Sequence, residues 1–279
     1  MVNFFKELEN LYIKYEESTL IKNKINLIKK IKLLEKKIIL NLNTNEKYLI
    51  DYILKNYQRK SDFILSRYLY FLNIVNIIDV ENFDKIIKLN IEILKNHKTD
   101  YEKNDLIYFT IKCMEKFYFK NFENLIIDLS KSSLFFLYKK EFIILMGKTK
   151  SSKKGINFLI DQSKKLPEFF YEIHWSIGMI ASYKKNPLIK RSLLNNYLRK
   201  IIKIIKNNNL KKMEILYFSL SEIFLKQNGI DGKFLNKILE ILQQDKRYHQ
   251  LKDILIKIIN NIDLIEEEKE IILKFEEKF

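Results

Sequence analysis

The sequence predicts an all-α protein, and three observations carry that prediction. Apolar residues recur at helical spacing along most of the chain, with no stretch alternating as a half-buried strand would. Only five glycines and two prolines occur in 279 residues, too few turn formers for a β-sandwich or a sheet with many tight loops. Aromatic residues make up 13% of the chain and hydrophobic residues 47%, enough for a substantial core and unlike a disordered composition.

Phe4, Phe5, Leu8, Leu11, Tyr12 and Tyr15 predict a first helix, after which Ser18 and Thr19 offer a break and a new N-cap. The second helix runs from Leu20 to about Leu40. Its apolar stripe is Ile21, Ile25, Ile28, Ile31 or Lys32, Leu34 or Glu35, and Ile38, with Lys22, Lys29, Lys30, Lys36 and Lys37 mostly off it. Thr44 caps a third helix to about Tyr57. Ser61 and Asp62 cap a fourth, reading Phe63, Leu65, Tyr68, Leu69, Leu72 and Val75 and stopping near Asp79. Residues 81–96 continue the pattern through Phe83, Ile86, Ile87, Asn90, Ile91 and Leu94.

From Asn104 the helices acquire a regular rhythm. One runs to Phe119 and breaks at Lys120-Asn121, one runs to about Ser132, one to Met146, and after a basic loop one to Leu166. Pro167 suits the first turn of a helix through Trp175 to Lys185. Pro187 starts another through Lys206, ended by Asn207-Asn208-Asn209, and Leu210 to Gln227 follows with Gly229 as its C-cap glycine. Helices at about 233–244, 247–260 and 264–279 complete the chain, the last opening with Glu266, Glu267 and Glu268 where the helix dipole favours anions.

Helices of this length joined by short turns predict stacked hairpins. A spacing of 34 residues aligns Phe109, Ile143 and Ile177, then Cys113, Gly147 and Ala181, then Leu125, Leu159 and Leu193. The middle set places small residues where two helices of a hairpin would touch most closely. With Gly155, Leu159 and Pro167 at matching spacing, and Phe119-Lys120-Asn121-Phe122 as an inter-helix turn, residues 104–244 resemble tetratricopeptide repeat proteins. The register set by Pro167 differs by one helical turn from that of Cys113, Gly147 and Ala181, and Gly178 fits neither. The resemblance implies an interaction scaffold with a concave peptide-binding face and no catalytic residues. The expected architecture is a single all-α domain, a right-handed superhelical array of antiparallel helix hairpins, a tetratricopeptide-like α-solenoid of about 12 to 14 helices. Residues 1–100 would be divergent N-terminal helices, 101–245 the tetratricopeptide-like hairpins and 246–279 the capping helices.

Charge is strongly segregated. Residues 147–213 carry +13 of the net +16, and from Ile173 to Met213 there are ten Lys or Arg and no Asp or Glu. Part of the basic bias belongs to codon usage: 46 of the 51 bases are Lys and Ala181 is the only alanine, as an AT-rich genome would produce. Codon usage does not explain why acids vanish from one stretch. On the helix 188–206, Leu194, Tyr197, Leu198, Ile201 and Ile205 form an apolar face, so Arg191, Asn195, Arg199, Lys203 and Lys206 share a polar stripe. With Lys184, Lys185 and Lys190 they are the candidate partner-binding residues; Trp175 reads first as a core anchor and is added to them on its second reading, a recognition aromatic. A face of Lys-rich solvated side chains is the competing reading.

Chemistry is otherwise thin. Gly147-Lys148-Thr149 ends like a P-loop, but Phe142 stands where the first glycine belongs and no βα unit surrounds it; an exposed mobile loop over 148–155 is the expectation. His97, His174 and His249 lie on separate segments without metal-ligand spacing, and the lone Cys113 allows neither an intramolecular disulfide nor a Cys-based metal cluster. No cofactor, metal or catalytic residue is indicated. No secretory signal or membrane-spanning run is visible, and a cytoplasmic location is expected. The first functional reading is a protein-interaction scaffold with a basic face for an anionic partner. A nucleic-acid-binding helical-repeat protein is the second, and an all-α enzyme of unrecognised type the third.

Overall fold

The structure, a computed structural model, describes residues 2–41, 46–74, 80–96, 104–182, 213–226 and 249–277, with Tyr197, Arg199, Asn236, Leu239, Glu240 and Gln243. Among the described residues the chain is helical, with no strand and fourteen α-helices. It divides into two compact units, Met1–Lys116 and Phe117–Phe279. The caps expected from Thr44, Pro187, Asn207 to Asn209 and Gly229 lie outside the described residues.

The first unit holds α1 (Val2–Glu17), α2 (Ile21–Leu40), α3 (Glu46–Asn56), α4 (Asp62–Ile74), α5 (Val80–Asn96) and α6 (Asp105–Met114). A three-residue connection folds α2 back on α1; its N-cap is Leu20, without a side-chain cap bond, and not Ser18 or Thr19. Ser61 does cap α4, its Oγ accepting from Ile64 N at 3.3 Å. α4 packs against α1 and α6, burying Tyr68, Leu69, Phe71 and Leu72.

Polar side chains tie α1 to its neighbours. Tyr12 Oη donates to Glu35 Oε1 at 2.6 Å, and Arg67 holds the same oxygen through Nε at 2.9 Å and Nη2 at 2.6 Å. Glu9 accepts from Tyr52 Oη at 2.6 Å and Tyr68 Oη at 2.8 Å and is paired with Lys60. Burial alone would raise the Glu9 pKa, but the hydrogen bonds from Lys60, Tyr52 and Tyr68 outweigh it and leave the carboxyl below its ordinary range. On α6, burial pushes the Cys113 thiol up to about 11, against smaller opposing effects of Asn90 and Lys116, so it is a protonated core residue.

The second unit holds α7 (Glu123–Leu129), α8 (Ser133–Leu137), α9 (Lys139–Lys148), α10 (Lys153–Lys165), α11 (Phe170–Ser182), α12 (Met213–Lys226), α13 (His249–Ile259) and α14 (Glu266–Glu277). The helix expected to end at Met146 is broken at Tyr138 (φ −120°, ψ 33°) into α8 and α9. Pro167 opens a 3-10 turn that leads into α11. α9 packs on α11, α11 on α12 and α12 on α13, so these helices follow one another in series. In the first three the buried residues are not confined to one face: 142–147, 173–178 and 215–223 are buried without interruption, as in helices covered on all sides, whereas α13 buries one face through Leu251, Ile254, Leu255, Ile258 and Ile259. α13 ends in a Schellman motif, with Asn261 at φ 55° and Ile262 N bonded to Lys257 O at 2.8 Å.

The successive crossings use small residues. A β-carbon on Gly147 would lie 2.6 Å from Ser176 Cα, and one on Gly178 3.0 Å from Ser219 Cα. The small residue at 147 therefore serves contact with α11, two helices on, and Gly178, which fits neither sequence register, has its own partner on α12.

Candidate anionic-partner face

The described part of the basic segment begins at the loop between α9 and α10. The sequence predicts an exposed mobile loop here; the structure packs it. Thr149 and Ser151 are buried, Thr149 Oγ1 donating to Leu145 O at 2.8 Å and Ser151 Oγ to Met146 O at 2.9 Å. Lys150 N donates to Lys120 O at 3.0 Å, joining the loop to the turn that precedes α7. Gly147 and Thr149 are thus committed to helix packing and loop closure.

Glu123, in the first turn of α7 and 5% exposed, fastens the loop. Its carboxylate accepts from Ser152 N at 2.8 Å, Ser152 Oγ at 2.6 Å and Gly155 N at 3.1 Å. Ser152 Oγ also accepts from Lys154 N at 3.3 Å as the N-cap of α10. Gly155 sits in a tight space: an added β-carbon would meet Met146 Sδ and Ser151 Cβ at 3.0 Å, and those side chains would have to shift by a few tenths of an ångström. The N-terminus of α10, where free amides and the helix dipole attract anions, is therefore occupied by the chain's own carboxylate. The loop projects Lys150, Lys153 and Lys154, all exposed, from a fixed frame. On the facing turn Tyr118 and Phe119 are 61% and 40% exposed, and Asn121 Oδ1, one residue ahead of the N-cap Phe122, accepts from Glu123 N at 2.8 Å.

Of the residues singled out by sequence, Lys184, Lys185, Lys190, Arg191, Lys203 and Lys206 lie outside the described residues. Arg199 is exposed and Tyr197 is 1% exposed, matching the polar and apolar faces assigned to that helix. Of the two readings of Trp175 the core anchor holds: at 1% exposure on a helix covered all round it offers no ring to a partner and leaves the set of partner-binding candidates.

Sequence reasoning missed two arrangements. One is the Glu123 clamp, whose partners are about 30 residues away and whose only local signal is an acid in a first helical turn. The other is a buried polar chain in which His174 Nδ1 meets Tyr197 Oη at 2.7 Å and that hydroxyl meets Ser219 Oγ at 2.9 Å. Burial raises the Tyr197 pKa far above its ordinary value, so the hydroxyl is neutral and the chain joins α11 and α12 as a structural network. Among the described residues no group of three His, Cys, Asp or Glu side chains is placed to hold a metal ion.

Comparison with protein-family models, with curated proteins and with solved structures found no match to this chain. Its site is read from its own geometry.

Proposed function

We propose that the chain is a non-catalytic helical-repeat scaffold, tetratricopeptide-like in its stacking, which holds an acidic protein segment against the basic face of residues 147–213. The observation that carries this reading is the clamped loop. Lys153 and Lys154 stand in the first turn of α10, the end where the helix dipole opposes cations, and Glu123 holds the backbone beneath them fixed. Two lysines there add nothing to helix stability, and with the backbone already ordered an anionic partner has only their side chains left to immobilise. The serial packing of α9, α11, α12 and α13 supports the scaffold part of the reading, because each helix supplies the covering surface for the next.

A second reading, binding to single-stranded nucleic acid, is favoured by exposed Tyr118 and Phe119 beside Lys120, whose carbonyl accepts from Lys150. Aromatics interleaved with lysines are the arrangement on which bases stack. Competition separates the two: a fluorescent Glu-rich peptide is titrated with the full chain, then challenged with unlabelled peptide or single-stranded oligonucleotide. The scaffold reading expects saturable peptide binding that an equal charge of oligonucleotide does not displace. Preferential binding of the oligonucleotide, further weakened by Tyr118→Ala and Phe119→Ala, would transfer the function to nucleic acid.

A further inference from the structure

The second helix is only half used by the fold. Its C-terminal half is packed through Ile31, Leu34, Glu35 and Ile38, yet none of residues 21–30 is buried. Ile21 is 78% and Ile25 50% exposed, and Leu20 just ahead of them is 63% exposed. At about 100° per residue, Ile21, Ile25, Lys29, Lys32 and Lys36 fall within one stripe about 80° wide, apolar at its N-terminal end and basic behind it. All three of these lysines are exposed. α2 carries seven lysines against one acid, Glu35, and Arg67 already neutralises that acid.

We infer that this stripe is a contact for an anionic membrane surface, with Leu20, Ile21 and Ile25 entering the headgroup boundary and Lys29, Lys32 and Lys36 meeting lipid phosphates and carboxylates. The charge selects the occupant. A second copy of the chain would set one seven-lysine helix against another, which like-charge repulsion opposes. The apolar part is two exposed isoleucines one helical turn apart with Leu20 ahead of them, too small an area for a stable protein interface but enough to enter a fluid headgroup boundary. Lysine suits this role, since its flexible stem lies along apolar surface while the ammonium stays among headgroups. No described helix is long and apolar enough to cross a membrane, so the contact is with the surface alone. It belongs to the first unit and stands or falls apart from the basic face of the second.

The test is co-sedimentation of the full chain with phosphatidylcholine vesicles, with and without phosphatidylserine, at physiological salt. Binding is expected only with phosphatidylserine. The Lys29→Gln, Lys32→Gln, Lys36→Gln variant is expected to weaken it by about fivefold per lysine. An Ile21→Asn, Ile25→Asn variant is expected to weaken it at least tenfold without a change in net charge. A Lys85→Gln, Lys88→Gln, Lys95→Gln variant loses the same charge from α5 and is expected to bind nearly as the wild type does. An Ile25→Trp variant gives a direct readout, a blue-shifted emission quenched by brominated lipid. Equal losses in the α2 and α5 lysine variants, undiminished binding after the isoleucine changes, or no binding at all would each overturn the inference.

Discussion

Gly147 of α9 and Ser176 of α11 approach so closely that no side chain fits between them: a β-carbon on Gly147 would lie 2.6 Å from both Cα and Oγ of Ser176. The Ser176 hydroxyl donates to Ile143 O at 2.8 Å in the same crossing. Helices that meet at backbone distance have one register, and here the register sets where α10 and its lysines stand.

Gly147→Ala is therefore expected to destabilise the second unit by about 2 kcal/mol or more, despite the gain of about 1 kcal/mol that alanine brings to a helix interior. Gly178→Ala, with 3.0 Å to Ser219 Cα, should lose less. Thermal melting of the two variants checks the order. A rise in melting temperature for Gly147→Ala would show that the crossing is looser than described.

Glu123→Ala strips partners from the Ser152 and Gly155 amides and from the Ser152 hydroxyl, a loss of about 3 kcal/mol for a buried charged acceptor with several donors. Hydrogen exchange should accelerate at Ser152 and Gly155 before the rest of α10 responds. Unchanged protection at those two amides would show that the carboxylate does not hold the loop.

Stability of the first unit should depend on pH through Glu9. Its folded pKa lies below the ordinary glutamate value, so the stabilisation is fully present above the ordinary glutamate range and is lost as pH falls towards the depressed folded value. Glu9→Gln should lower the melting temperature near pH 7 and flatten its fall below about pH 4.5. Parallel melting curves against pH for the two proteins would exclude this source of acid sensitivity.

Much of the helix plan is legible in the sequence because its signals are local. Ser61 caps α4 and Pro167 opens the turn into α11 as their residue types dictate, and the acids at 266–268 mark the start of α14. What is illegible depends on distant partners. Nothing near Glu123 announces Ser152, nothing near Gly178 announces Ser219, and Ile21 and Ile25 continue an apolar stripe that only packing shows to be uncovered. The segregation of charge is legible, since acids vanish from 173–213, while the Glu123 frame beneath Lys153 and Lys154 is not.

The reading as a scaffold for an acidic partner is tested most directly by calorimetric titration of a Glu-rich peptide into wild type, a Lys150→Gln, Lys153→Gln, Lys154→Gln variant and the α5 variant Lys85→Gln, Lys88→Gln, Lys95→Gln, each at several salt concentrations. The two variants lose the same charge, and all six positions are exposed, so all three proteins should melt alike. The account predicts affinity that falls with salt and drops at least tenfold in the loop variant, with little change in the α5 variant. Equal affinity of both variants for the peptide would contradict it and return the basic segment to a solvated surface.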